Sequence, residues 1–378
     1  MATASGPETG SALLRKATGW LAKVFALTPG GLNWPRGVAV LDVALVPLIV
    51  FWAIGYEQYL LSALFGLLLT GLADPGGGFG YGSARMAVFG AAGAGLTALA
   101  FGIGGESWGW LVLATFLVTL AGGLAIAFGT HRFVAALLLN VWFIVALGLA
   151  FNLHHHARIT SYTWAQVVSW AGGSALWIVV AGAGWLIRGR RDRPPPVPEI
   201  PGDTARRKLT APMTAFALIR AVAMAGAVAL AFGLDLSHGY WLPIATIVAM
   251  KPSLEQTALT AAQRLFGAGI GSVAALLLLL LPASEHGRKL FAVDHGLEVV
   301  ALVLVMHGVV VHSWNYALYT AFIAAAALIL VDLPQPSQYG AEGDRVLWTL
   351  CGVAIGTFTI LLAGLLAKRR SGTPSQSA

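Results

Sequence analysis

From Ser107 to Thr130 the chain runs through 24 consecutive residues without a charged side chain, and Met86–Gly105 and Phe133–Leu153 do the same. A helix of about 20 apolar residues is as long as a bilayer's hydrocarbon core is thick, and inside lipid the backbone must find its hydrogen bonds within a helix or a closed barrel. Glycine and alanine spread through these runs favour helices. With 57% hydrophobic and 10% charged residues in 378 positions, there is too little polar surface to cover a soluble globule. The chain is therefore read as an all-α, polytopic helical membrane protein.

Twelve spans are predicted, over roughly 38–55, 58–73, 85–104, 108–128, 132–152, 166–187, 214–233, 240–251, 264–282, 293–312, 315–332 and 346–367. Lysine and arginine collect on the cytoplasmic side of such proteins. With the N-terminus inside, only Arg158, Arg288, Lys289 and Arg345 fall outside, leaving 19 of the 23 basic residues on or near the cytoplasmic side. An even count with both termini cytoplasmic is favoured, in a bacterial inner membrane. The net charge of +7 then reflects loops facing anionic lipid, with no nucleic acid as partner. Cys351 is the single cysteine, so no internal disulfide can form.

The organisation follows from breaks in the apolar pattern. Residues 1–33 hold Leu13, Leu14, Ala17, Leu21, Val24 and Phe25 at helical spacing beside Arg15, Lys16 and Lys23, which predicts a cytoplasmic amphipathic segment. A first membrane repeat follows over 34–187. Residues 188–211 form a cytoplasmic linker, whose stretch 188–208 has seven basic residues and five prolines that forbid a continuous helix. A second membrane repeat occupies 212–368, and 369–378 is a cytoplasmic tail.

The halves echo one another. Asp42, Gly55 and Glu57 stand 178 positions before Arg220, Gly233 and Asp235; Arg85 and Gly90 stand 179 before Arg264 and Gly269; Pro75 stands 177 before Pro252. Preserved order predicts two six-helix repeats of the same orientation, related by an axis along the membrane normal. The segment Gly239–Ser253, GYWLPIATIVAMKPS, is too short for a regular span, and its counterpart at 59–73 is also short and also ends before a proline. Paired short segments in corresponding places point to the central site of a transporter, because broken helices present backbone dipoles to the substrate.

In the second half, Arg220 is followed by Tyr240-Trp241-Leu-Pro243-Ile-Ala-Thr246, Pro252-Ser253, Arg264-x-x-Gly267-x-x-x-Gly271, Asn315-Tyr316-Ala317 and Arg345-x-x-x-Thr349-x-x-Gly352. This set, in this order, resembles the fusaric acid resistance protein family of the aromatic acid exporter superfamily, which includes the aluminium-activated malate transporters. The resemblance covers about residues 208–366 and reaches the first half only through the repeat. Ala268 departs from the small hydroxyl residue usual there, and the large cytoplasmic domain of many relatives is reduced to the linker. The resemblance implies export of organic anions, typically aromatic carboxylates. A channel-like anion pathway without ion coupling is the alternative, suggested by the malate-transporter relatives.

A carboxylate crossing a membrane needs fixed positive charge on its route. Arg36, Arg85, Arg220, Lys251 and Arg264 lie near the cytoplasmic ends of spans, where they form either a basic vestibule or headgroup anchors. Arg220 lies deeper, and Asp42 at the matching place in span one is its candidate partner. Tyr240, Trp241, Pro243, Thr246, Asn315 and Tyr316 complete the candidate substrate-binding set. Asp42, Glu298 and His307 are the candidates for proton coupling, with Asn140, Asp294 and His312 as further polar residues in or near spans. Glu298 and His307 are nine residues apart and so on opposite helix faces, against a continuous relay. Gly76–Gly82, GGGFGYG, lacks the Lys-Ser/Thr of a phosphate loop, and His154-His155-His156 lacks metal-ligand spacing and carboxylate partners. No cofactor, metal or catalytic residue is expected, which leaves a membrane-embedded enzyme without support. The partners expected are lipid and a small organic anion; homodimer formation is left open.

Overall fold

The computed structural model describes residues 22, 25–27, 31–75, 78–155, 161–191, 208–250, 254–280, 296–332 and 340–371. Among the described residues all regular structure is helical. The α-helices are α1 (Trp34–Ile54), α2 (Leu60–Leu72), α3 (Phe79–Ile103), α4 (Trp108–Leu124), α5 (Thr130–His155), α6 (Thr163–Ile187), α7 (Ala211–Gly233), α8 (Trp241–Ala249), α9 (Leu254–Leu280), α10 (Gly296–Val311), α11 (Tyr316–Asp332) and α12 (Gly340–Ser371). Short 3-10 turns, Glu57–Tyr59 and Ala125–Phe128, precede α2 and extend α4. The predicted amphipathic segment, most of the linker, Lys251–Ser253, Asp294, Gly76–Gly77 and the end of the tail lie outside the described residues.

Each of the twelve predicted apolar segments carries a helix, but they are not twelve equal spans. Among the described residues seven are long and apolar enough to cross a membrane: α1, α3, α4 with its extension, α5, α6, α7 and the Leu347–Gly364 part of α12. Glu57–Leu72 and Gly296–Val311 are shorter apolar helices, α9 and α11 carry described apolar stretches over Phe266–Ala275 and Tyr316–Ala327, and α8 has only nine residues. At 1.5 Å per residue α8 is about 14 Å long, half a hydrocarbon core.

The residues form two compact units, one from Met1–Val38 and Ser253–Glu342, the other from Ala39–Pro252 and Gly343–Ala378. In the first, α11 packs on α9 and α10. Gly267 and Gly271 abut the backbone of α11 at Ala317 and Ala321, so the small-xxx-small pair does what its spacing predicts. In the second unit α4 packs on α7, and α6 on α2 and α3. Its core holds Trp142 and Trp170, fully buried and stacked at 4.7 Å. Their indole N–H groups donate to Thr97 Oγ1 (2.8 Å) and the Gly90 carbonyl (2.9 Å), so these polar atoms are satisfied in an apolar setting.

Two helix contacts recur at one offset. Gly173 of α6 abuts the Ala63 carbonyl of α2, and Gly352 of α12 abuts the Leu242 carbonyl of α8. Ala63 to Leu242 and Gly173 to Gly352 are both steps of 179 positions. The hydroxyl partners differ: Ser174 Oγ donates to the Gly66 carbonyl (3.2 Å), while Thr246 Oγ1 donates to the Gly352 carbonyl (3.1 Å).

The short helix α8 is not broken by its proline. Pro243 is the third residue of the helix, where a backbone N–H has no intrahelical acceptor and proline is tolerated. The helix ends at Ala249 because Met250 is already extended (ψ 93), two residues before Pro252. The preceding turn is tight, with positive φ at Asp235 (47) and His238 (52).

Candidate functional site

Helix α7 starts cleanly, with Pro212 in its first turn, and runs for 23 residues. Arg220 is its tenth residue, about 14 Å from the start and 20 Å from the end at 1.5 Å per residue. Ala217, one turn before, meets Gly123 of α4 with Cα 2.8 Å from where a Cβ would stand. That close crossing brings Arg220 into the three-helix junction of α4, α5 and α7, where it is fully buried. Its guanidinium carbon lies 5.4 Å from the Phe133 ring centroid, and Phe133 in turn meets Phe216 at 6.4 Å. Among the described residues none of Nε, Nη1 and Nη2 has a hydrogen-bond partner.

Five N–H donors on a buried cation without an acceptor are costly. A ring face supplies attraction of about 2 kcal/mol when both groups are dry, yet no lone pair. The expected pairing with Asp42 is not formed: Asp42 is exposed on α1. A helical register with side chains every 100° explains this, since Val43, Ala44, Pro47 and Leu48 form the buried face of α1 and Asp42 lies off it.

The short helix continues the same unit, packing on both α7 and α5. Gly148 of α5 leaves the space that the Tyr240 Cβ fills at 2.6 Å, and the Tyr240 and Trp241 rings lie 5.7 Å apart, half-buried. Pro243 is buried. Thr246 is buried too, but its hydroxyl proton is shared between the Leu242 (2.8 Å) and Gly352 (3.1 Å) carbonyls, which makes it a residue that joins α8 to α12. Gly356 supports the same joint, against Thr246 O at 2.9 Å.

The other predicted residues serve local structure. Arg85 is half-buried over the Tyr81 ring at 4.6 Å, so Arg85 and Arg220 stand on separate aromatic rings. Arg36 is exposed in the first turn of α1, and its backbone N–H donates to Asn33 Oδ1. Lys251 and the side chain of Arg264 lie outside the described residues. Asn315 is buried as the cap of α11: Oδ1 accepts from the Leu318 N–H (2.9 Å), while Nδ2 donates to the Ala26 carbonyl (3.4 Å). Tyr316 packs on Tyr319 at 5.6 Å.

Glu298 is buried in the first turn of α10. His307 Nδ1 is 2.7 Å from the Val303 carbonyl, and its ring packs on Trp34 (5.8 Å) and Phe322 (5.6 Å). It faces an apolar cavity of about 270 Å³ with Leu278, Val299 and Val303, which Glu298 does not line. Among the described residues no three His, Cys, Asp or Glu side chains gather as a metal site.

Other buried polar residues of α4 and α5 are less visible in the sequence. Thr115 and Thr119 of α4 and Asn140 of α5 are buried, and Thr119 Oγ1 donates to Asn140 Oδ1 (3.3 Å). Asn140 is the one asparagine between Phe133 and Ala150, a polar residue inside an apolar span and so the available signal.

Residues 212–359 match the family model described as fusaric acid resistance protein-like, within the stretch where the motifs place the resemblance. No curated protein and no solved structure matches the chain. The family match and the apolar helices fit a multi-pass membrane transporter.

Proposed function

We propose that this protein exports small organic anions, aromatic carboxylates among them, across a bacterial inner membrane, with both chain termini cytoplasmic. The observation that carries this reading is Arg220: a fully buried guanidinium with no hydrogen-bond acceptor, about midway along an apolar helix in the family-like half. A positive charge so placed is retained against its cost when a transient anion satisfies it. The short helix α8 ends on the same part of the unit, with Met250 and Met224 in one apolar core, so the anion meets a dry site flanked by Phe133 and Phe216.

The test is binding of benzoate and related aromatic and aliphatic carboxylates to purified protein, repeated with Arg220→Ala. Loss of at least tenfold in affinity is expected for the best ligand, because a charge-assisted hydrogen-bond pair is removed. Unchanged affinity would remove Arg220 from the site.

Coupling to the proton gradient is proposed through Glu298, a buried carboxyl in the first turn of α10. Vesicle uptake of the bound carboxylate should accelerate under an imposed pH gradient in wild type, and Glu298→Gln should lose that acceleration while still binding. Anion current with no response to a pH gradient in wild type would point instead to an uncoupled channel.

A further inference from the structure

We infer that Asn140 is the second donor of the Arg220 site, its amide held by Thr119 so that N–H rather than C=O faces the anion. This rests on the reading of Arg220 as the anion's cation and extends it to a neutral group that fixes the anion's orientation.

Helix register brings the two side chains to one place. Helices α4 and α7 run antiparallel, since Gly233 lies against Trp108 at one end and Ala217 against Gly123 at the other. One turn along α7 from Ala217 is Arg220, and one turn back along α4 from Gly123 is Thr119, so the two are level. Thr119 bonds to Asn140 of α5. On α5, Phe133, Leu137 and Asn140 follow at spacings of four and three and share a face. Phe133 on that face lies under the guanidinium. An arginine in a helix leans back toward the helix start, which carries its head toward Phe133.

The hydrogen-bond inventory shows what that space accepts. Thr119 Oγ1 donates to Asn140 Oδ1, which fixes the amide plane with Oδ1 toward Thr119 and Nδ2 the other way. Asn140 is 1% exposed, and Nδ2 has no partner. Thr115, one turn further along α4 and fully buried, has a hydroxyl without a partner. Arg220 adds three nitrogens in the same condition. These groups offer more donors than acceptors, the acceptors being the two threonine hydroxyl oxygens and the second lone pair of Asn140 Oδ1. Buried amide and hydroxyl groups are normally paired, so a cluster that is donor-rich on every member matches an anion with several lone pairs. A carboxylate can take the guanidinium on one oxygen and the amide on the other. The amide is seated against Gly122 of α4, where a Cβ would stand 2.8 Å from Nδ2.

The test uses the full chain in detergent. Asn140→Asp places a carboxylate where the anion would sit. Without ligand, its Tm should rise by several degrees over wild type, and the same substitution in an Arg220→Met background should lower Tm. Equal shifts in the two backgrounds would show that the side chains do not face each other and would overturn the inference. Benzoate and chloride titrations supply the second reading. Asn140→Asp should lose benzoate affinity at least tenfold and Asn140→Leu about fivefold, as expected for one lost hydrogen bond, with Tm of the latter near wild type. Chloride, which cannot bridge two donors in the same way, should lose less with Asn140→Leu than benzoate does. If Arg220→Ala abolishes benzoate binding while both Asn140 variants keep it, the inference fails and the reading of Arg220 stands. If Arg220→Ala also keeps binding, or wild type binds neither anion, both fail.

Discussion

Leucine at Gly173 should prevent accumulation of folded protein, whereas leucine at Gly172, the residue before it on the same helix, should leave stability unchanged or slightly improved. A Cβ at Gly173 would meet the Ala63 carbonyl and stand 3.0 Å from the Leu67 nitrogen; at Gly172 it meets nothing within 4 Å. Both obstacles at Gly173 are backbone atoms of α2, so no rotamer change relieves them and the helices must part. Parting them also breaks the bonds that cross this seam, Thr70 Oγ1 to Ser174 Oγ (3.0 Å) and Ser174 Oγ to the Gly66 carbonyl (3.2 Å). Overpacking alone costs about 1–3 kcal/mol, and each buried group left unpaired costs about 1–3 more. At Gly172 a better helix former replaces glycine, worth about 0.5–1 kcal/mol in the opposite direction. Expression yield and the monodisperse peak in size-exclusion chromatography report the difference. Equal behaviour of the two variants would mean that α2 and α6 do not pack at this separation. The same pair of outcomes is expected at Gly267 and Gly269, where only the first abuts the neighbouring helix.

Such glycines are where the amino-acid pattern speaks most directly about packing. The spacing Gly267-x-x-x-Gly271 identifies one helix face and a close neighbour, and α11 is that neighbour. Among the described residues each of the twelve apolar segments carries an α-helix, because lipid leaves the backbone few alternatives. Length is harder to read: α9 is helical over Leu254–Leu280 and begins well before its apolar run opens at Leu265, while α8 stops after nine residues. Arg220 is legible as a charge in an apolar run. Its environment is not, because Phe133 lies 87 positions earlier and meets it only through the α4, α5 and α7 packing. The expectation for Asp42 fails for a related reason. An offset of 178 matches positions in sequence, but the helix face a residue occupies depends on phase, and Asp42 falls off the buried face of its helix.

Arg220→Met is expected to separate stability from function. By insertion measurements an arginine at the centre of a membrane helix costs about 2.5–3.5 kcal/mol. The face of Phe133 returns up to about 2 kcal/mol of this, and no hydrogen bond returns the rest. Methionine is shorter than arginine but unbranched and adaptable, so it fills irregular apolar space and brings no donors that need partners. The variant should therefore unfold a few degrees above wild type in detergent without ligand, while carboxylate uptake falls below about a tenth of wild type, the loss of one charge-assisted contact. Saturating benzoate should then raise the Tm of wild type and leave that of Arg220→Met unmoved, since binding stabilises only a protein that keeps the site. A Tm several degrees below wild type would instead mean that the guanidinium holds the α4, α5 and α7 junction together and that its solitude is structural. The sign of that shift decides between the two, because a charge kept for packing and a charge kept for a passing anion make opposite demands on the empty protein.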